Sequence, residues 1–142
     1  MAREMTDEEI REFLAAGTRT AKLATTMRDG SPHVMPVWFV LEGDRLVFNT
    51  AADTVKGRNL RRDPRVSIVV DDERPPYAFV HLRGTVAVSA DPDDLLATAT
   101  AIGGRYMGAD RAEEFGRRNG VPGELVCRFT PERVVAIGDV AG

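Results

Sequence analysis

The sequence contains few of the residues on which many functional sites depend. Among 142 residues there is one cysteine, Cys127, and there are two histidines, His33 and His81. A single cysteine excludes a disulfide framework and any zinc or iron–sulfur site with several thiolates. The histidines are far apart and no HExxH spacing occurs, so we expect no metal site.

Motifs of the common nucleophilic and phosphate-transferring enzymes are also missing. The sequence has no GxSxG elbow, no Walker loop and no GxGxxG, so conventional hydrolase and nucleoside-triphosphatase functions are excluded. The net charge of −3 argues against a general nucleic-acid binder. No apolar run approaches ~18 residues and the start does not resemble a signal peptide. We therefore expect a cytoplasmic protein that has neither nucleic acid nor membrane as a partner.

The remaining pattern is typical of one globular domain over residues 1–142, since 43% of the residues are hydrophobic and 29% are charged. A capping box formed by Thr6 and Glu9 predicts a first helix that ends at Gly17. Further helices are predicted over residues 54–62, 91–104 and 110–118. Strands are predicted over residues 20–27, 34–41, 46–48, 65–70, 77–89, 124–129 and 133–137, the last two separated by a turn at Thr130-Pro131.

A proline interrupts the most apolar predicted strand. Residues 32–39 read PHVMPVWF, and Pro36 cannot donate a hydrogen bond to a sheet. This predicts a bulge or a sheet edge, where backbone groups are free to meet a planar ligand. The alternative is that these large side chains belong only to the core.

Five basic residues are concentrated in one short segment, which begins at a predicted helix N-terminus. They are Lys56, Arg58, Arg61, Arg62 and Arg65. Free N–H groups at the start of the helix, with Lys56, Arg58 and nearby threonine hydroxyls, would suit a phosphate. Alternatively, basic residues merely offset the dipole at the helix C-terminus, which explains Arg61 and Arg62 but not Lys56. Both interpretations stay open on these residues alone.

The same segment carries a family resemblance. The motif K-x-R-N-L-x-x-D-P-R stands at residues 56–65, followed by HLRGTV within residues 77–88 and by RFTPERV near the end. With these motifs the chain resembles the pyridoxamine 5′-phosphate oxidase-like split β-barrel superfamily. It is most similar to the branch that uses the deazaflavin coenzyme F-420. The resemblance implies an α+β, mainly β fold: a six- to seven-stranded antiparallel split barrel with short flanking helices.

The resemblance also implies a homodimer with two cofactor sites at the subunit interface. The cofactor's phosphate and ribityl chain would be held by Asn49, Thr50, Lys56, Arg58 and Asn59. The deazaflavin ring would lie along Met35, Pro36, Val37 and Trp38. From the partner chain, the substrate side would be closed by Tyr77, Phe79 and His81. Gly57 stands where relatives carry a larger residue, and we expect it to weaken the helix by about 1 kcal/mol relative to alanine.

The function implied is a coenzyme F-420-dependent reductase that transfers a hydride to a C=C or C=N bond of a small organic substrate. Solvent, His81 or Tyr77 would then protonate the product. Two alternatives stay open: an FMN-binding oxidoreductase of the same fold, and a non-catalytic module that binds a cofactor or haem.

Overall fold

One antiparallel sheet organises the chain, and the computed structural model describes all 142 residues of it. The strands are β1 (Arg3–Glu4), β2 (Ala21–Thr26), β3 (Pro32–Val37), β4 (Val40–Glu42), β5 (Arg45–Ala51), β6 (Arg65–Asp72), β7 (Ala78–Ser89) and β8 (Glu124–Gly138). The helices are α1 (Asp7–Ala15), α2 (Val55–Arg62), α3 (Pro92–Met107) and α4 (Ala112–Asn119), with a 3-10 turn at Ala109–Arg111. None of the helices has the length and apolar character needed to cross a membrane.

The strand order shows that the barrel is split. It runs β3-β2-β6-β7-β8-β5-β4, and β1 adds to β8. The sheet curls around a core that includes Leu23, Phe48, Ile68, Leu82 and Phe129. The end strands β3 and β4 do not pair with each other, so the barrel stays open between them. The predicted fold class is confirmed, with eight strands in place of the predicted six or seven because the short β1 adds to the sheet.

Local capping chemistry sets two helix starts where the sequence predicts them. The Glu9 N–H donates to Thr6 Oγ1 at 3.2 Å, and the Thr6 N–H donates to Glu9 Oε1 at 3.1 Å. Thr54 caps α2 in a related way, accepting a hydrogen bond from the Gly57 N–H at 3.1 Å. Asp63 ends α2 because a residue before proline disfavours the α region.

Gly57 has a packing role that propensity alone does not show. A Cβ at this position would lie 2.2 Å from the carbonyl oxygen of Ala51 and 3.0 Å from that of Ala52. The first turn of α2 therefore sits against the end of β5 at a distance that only glycine allows.

Pro36 lies on an edge strand. The register between β2 and β3 is regular, with Pro36 opposite Lys22, and β3 is at one end of the sheet. Of the two predicted alternatives, the edge is correct and no bulge is present there. A proline is tolerated at this position because one side of an edge strand has no ladder to complete.

The predicted turn at Thr130-Pro131 is wrong, because β8 runs without a break from Glu124 to Gly138. The register between β7 and β8 shifts between Arg83 and Gly84, and Gly84 then lies opposite Pro131. A Cβ on Gly84 would be 2.0 Å from the Thr130 carbonyl oxygen. The irregularity thus places Pro131, which lacks an N–H, where the ladder is already disturbed.

The predicted end of α3 at Gly103-Gly104 is also wrong, because the helix continues to Met107 and ends at Gly108, whose φ is 105°. Gly103 serves contact between helices: its Cβ would be 2.5 Å from the Cβ of Phe115 on α4. The sequence pattern predicts a stop at this glycine, whereas in the structure Gly103 allows close packing of two helices.

Candidate cofactor site

A cleft lies where the end of β3 meets β5, β8 and the helices, and we call it the Trp38 cleft. Its volume is about 360 Å³, and it is lined by Pro36, Val37, Trp38, Asn49, Lys56, Ala99, Ile102, Asn119 and Glu124. Five of these residues are predicted cofactor contacts, although they come from three separate segments of the sequence. The fold thus brings the segment around Pro36 together with the start of α2.

Asn49 and Lys56 occupy the polar side of this cleft. Asn49 lies two residues after Val47, the residue of β5 that packs against α3. Its Nδ2 donates to the Leu125 carbonyl at 3.3 Å. Lys56 is the second residue of α2, and no carboxylate of the chain forms an ion pair with it. The ammonium and the free N–H groups of this helix start together favour an anion.

Trp38 supplies a flat aromatic surface in the connection between β3 and β4. Its indole stacks on the ring of Tyr106 with a centroid distance of 5.0 Å and an interplanar angle of 2°. The Tyr106 hydroxyl donates to the Arg19 carbonyl at 2.7 Å and accepts from the Phe39 N–H at 3.2 Å. Trp38 keeps 37% of its surface exposed. Because α3 fixes the plane of the indole, a planar ligand would meet a preorganised surface.

Arg105, near the end of α3, also binds this helix to the connection between β3 and β4. The Arg105 guanidinium donates to the Phe39 carbonyl at 2.8 Å and to the Leu14 carbonyl at 2.7 Å. It also donates to the Gly17 carbonyl at 3.0 Å. Three carbonyl acceptors thus hold the end of α3, one in the β3–β4 connection and two in or just after α1. These bonds keep the residues of α3 that line the cleft in place.

Glu124, the first residue of β8, is an unexpected member of the cleft. Its Oε2 atom is buried and has no hydrogen-bond partner. Burial raises the pKa of the Glu124 carboxyl, nearby Lys56 lowers it and Asp53 raises it. A carboxyl oxygen without a partner is costly to bury, so a hydrogen bond to a molecule in the cleft would be favourable once the carboxyl group turns toward it.

A second cavity, which we call the arginine groove, lies beside α2. Its volume is about 510 Å³, and it is lined by Met27, Arg28, Val55, Arg58, Asn59, Arg61 and Arg62. None of the four arginines forms an ion pair with a carboxylate. Arg61 instead donates to the Ala52 carbonyl at 2.7 Å, and Arg58 donates to the Asp53 carbonyl. Uncharged acceptors orient these guanidiniums without neutralising them, so their positive charge remains free to pair with an anion.

Two predicted phosphate contacts have structural partners. Thr50 is 3% exposed, and its hydroxyl lies 3.2 Å from Thr54 Oγ1 in the turn before α2. Asn59 is also 3% exposed, and its Nδ2 donates to Thr25 Oγ1 at 3.1 Å. Both side chains hold α2 against the barrel. Met35 lies exposed on β3 next to Pro36, but it does not line the Trp38 cleft.

The residues assigned to the substrate side lie elsewhere in the same chain. His81 is on the outer face of β7, where its Nε2 is 2.7 Å from Ser67 Oγ. Phe79 precedes it on the same face, and Tyr77 is exposed just before β7. None of the three lines the Trp38 cleft. They could reach a cofactor in the cleft only from a second copy of the chain.

The residues that sequence reasoning missed belong mostly to the helical part of the cleft. They are Ala99, Ile102, Asn119 and Glu124. The helical spacing predicts Ala99 and Ile102 on the apolar face of a helix, which is correct, but the spacing does not tell what that face covers. The alternation along β8 offers one signal, because it puts Glu124 on the face of Val126, which packs against α3 residue Leu95.

A family model described as pyridoxamine 5′-phosphate oxidase matches residues 6–138. The chain belongs to this family. The fold is similar to that of an F420 reductase, with 28% identity and a TM-score of 0.69, covering 87% of this chain and 94% of that chain. It is also similar to the conserved hypothetical protein Rv2991 from Mycobacterium tuberculosis, with 26% identity and a TM-score of 0.84, covering 95% and 86%.

Proteins of this fold differ in what they bind. A heme binding protein from Mycobacterium smegmatis is 26% identical, with a TM-score of 0.73, and the match covers 99% of this chain and 56% of that chain. The match of the family model itself confirms the superfamily that the K-x-R-N-L motif predicts. It gives the chain an oxidoreductase-type fold.

Proposed function

We propose that this protein is a coenzyme F-420-dependent reductase, which transfers a hydride from the reduced deazaflavin to a small organic acceptor. The observation that carries the proposal is the placement of two unlike cavities at one helix start. Val55 lines the arginine groove and the next residue, Lys56, lines the Trp38 cleft. An elongated cofactor with a planar ring at one end and an anionic tail at the other matches this arrangement.

The Trp38 cleft suits the ring end of such a cofactor. Trp38 would orient the ring by stacking, and the backbone of edge strand β3 offers hydrogen-bonding groups. Ala99 and Ile102 would exclude water from one side. When bound, the reduced deazaflavin supplies the hydride, so the protein needs to provide only binding, orientation and a proton.

The arginine groove suits the anionic end. Coenzyme F-420 carries a phosphodiester and glutamyl carboxylates, whereas FMN carries one phosphate and no further acidic tail. The groove has four guanidiniums without carboxylate partners, which is more positive charge than a single phosphate requires. Lys56 and Arg58 would bind the phosphate, and Arg28, Arg61 and Arg62 would bind tail carboxylates. The groove therefore favours F-420 over FMN.

A homodimer is part of the proposal. The outer face of the sheet exposes apolar side chains, with Val34 61% and Val135 53% exposed, and Pro36 lies on the same face. Pairing of two copies through this face would cover these residues. It would also allow Tyr77 and His81 of one copy to approach the cleft of the other.

The test is a paired titration of the purified protein with F-420 and with FMN, following cofactor fluorescence. We expect tighter binding of F-420. Replacing Lys56 or Arg58 with alanine should weaken F-420 binding by about 10- to 150-fold, since a hydrogen bond to a charged group contributes about 1.5–3 kcal/mol. Arg117→Ala on the far side of α4 is the control and should not change affinity.

Two results would overturn the proposal. One is the absence of F-420 binding, and the other is an unchanged affinity in both variants. Binding of hemin in place of F-420 would support a non-catalytic module. Tight binding of FMN alone would support the flavoprotein alternative.

A further inference from the structure

Glu124 is the one acidic residue that lines the Trp38 cleft. We propose that it is the catalytic acid, which gives a proton to the acceptor as the hydride arrives. This inference rests on the proposed reductase function. It assigns the proton transfer to a residue that no motif of the sequence marks.

The position of Glu124 supports this role. It begins β8 directly opposite Ala51, at the end of β5 that leads into α2. Its side chain shares the cleft with Trp38, Asn49 and Lys56. Its Oε2 atom is shielded from solvent and bonds to no group of the chain. A proton on this oxygen would therefore have no acceptor within the chain, and the carboxyl group would have to rotate to present it to a molecule bound in the cleft.

The charges around Glu124 are few. Lys56 faces it from α2, and Asp53 faces it from the loop before α2. The elements that cover the rest of the cleft contribute Trp38, Ala99, Ile102 and Asn119, none of which is charged. Burial is the largest influence and raises the pKa of the Glu124 carboxyl, with Asp53 acting in the same direction and Lys56 opposing. An acid useful at neutral pH needs a pKa raised in this direction.

Other proton donors in the chain are less suitable. The Tyr106 hydroxyl lies behind Trp38 and already donates to the Arg19 carbonyl. Cys127 is fully buried on the core side of β8, and burial raises the pKa of its thiol to about 12. His81 and Tyr77 lie outside the cleft of their own chain. Glu124 is therefore the one carboxylic acid that each chain places at its own site.

The proton balance of the step is simple. For a C=C acceptor, the hydride brings two electrons and forms one C–H bond, which leaves negative charge on the conjugated part of the acceptor. Glu124 gives its proton to the second carbon, which completes the reduction and leaves a carboxylate in the cleft. Water then restores the proton after the product leaves.

The first test needs no cofactor. An infrared pH titration of the protein alone should show a carboxylic acid C=O band that persists above the ordinary range of a glutamic acid. The band should vanish in Glu124→Gln and remain in Glu132→Gln, a control with an exposed glutamate on the same strand. A wild-type spectrum without such a band, or one unchanged in Glu124→Gln, would overturn the proposal.

The second test measures turnover with reduced F-420 and 2-cyclohexen-1-one, an acceptor that must be protonated on carbon. Glu124→Gln should bind reduced F-420 like the wild type but lower kcat by roughly 100-fold, the usual contribution of a general acid. The fall in wild-type kcat as pH rises should disappear. Reduction of menadione should change much less, because its product oxygens can take protons directly from water.

The outcomes separate the two proposals. Normal binding with an unchanged kcat in Glu124→Gln would overturn the role of Glu124 and leave the reductase function intact. Wild-type protein that fails to bind reduced F-420, or binds it but reduces neither acceptor, would overturn the reductase function and the proton transfer with it. Glu132→Gln should match the wild type in every measurement.

Discussion

The close contact at Gly57 yields a prediction that opposes ordinary helix propensity. In Gly57→Ala, alanine is the better helix former by about 1 kcal/mol, so propensity alone predicts a more stable protein. The structure predicts the reverse. The new Cβ would lie 2.2 Å from the Ala51 carbonyl oxygen and 3.1 Å from the Ala52 carbonyl carbon, and both are backbone atoms that no rotamer change can move.

The expected loss of stability follows from the movement that the new Cβ would force on the first turn of α2. Overpacking of this kind typically costs about 1–3 kcal/mol. Moving the first turn of α2 outward would also lengthen the bond from the Gly57 N–H to Thr54 Oγ1, and the loss of an N-cap costs about 1 kcal/mol. After the gain in propensity is subtracted, we expect Gly57→Ala to lower the free energy of unfolding by about 1–3 kcal/mol.

Urea denaturation followed by circular dichroism would measure this difference, with the slope of the transition compared between variants. Gly104→Ala in α3 is the matched control, because its Cβ would be 3.3 Å from the Ala112 Cβ, a contact that a shift of a few tenths of an ångström relieves. We expect the control to lie within about 1 kcal/mol of the wild type. If Gly57→Ala proves as stable as the wild type or more so, the argument from backbone contact is wrong.

Two further predictions concern side chains of β8, the half-buried Arg128 and the buried Cys127. Arg128 donates to both carboxylate oxygens of Asp94 at 2.7 Å and also to Glu42 at 3.1 Å, so Arg128→Met should cost about 1.5–3 kcal/mol near pH 7. Arg128 lowers the pKa of both carboxyls, so its contribution is present above their ordinary values of 3.8 and 4.5 and is lost as pH falls through the lowered values. Urea transitions should therefore show a wild-type advantage that shrinks from pH 7 to pH 3, and a constant difference would contradict the ion pairs. Burial raises the pKa of Cys127 to about 12, so a thiol reagent at neutral pH should label it only after unfolding in urea, and rapid labelling of the folded protein would contradict its placement.

Features whose partners are close in sequence could be predicted, whereas features that depend on tertiary contacts could not. The capping box at Thr6 and the cap at Thr54 involve residues three positions apart, so the sequence alone contains all the partners. Gly103 looks like a local stop signal, but its partner is Phe115 on another helix. Pro131 looks like a turn, but its place opposite Gly84 depends on a register that only the sheet defines.

The candidate site divides in the same way. Trp38, Asn49 and Lys56 could be predicted because the family motifs mark the segments that carry them. Glu124 could not, because its significance comes from a buried oxygen atom, and burial depends on how α3 and α4 cover β5 and β8. Sequence patterns predict which segments border the cleft, whereas side-chain packing determines which acidic residue lines it.

The stacked position of Trp38 has a practical consequence. It is the only tryptophan among the 142 residues, so the tryptophan emission of the protein comes from one known place. Stacking on Tyr106 fixes the orientation of the indole ring, and the exposed part of the ring faces the cleft. Any molecule that enters the cleft changes the polarity around this single fluorophore. The chain thus carries its own optical probe, with which unlabelled compounds can be screened as occupants before any acceptor is known.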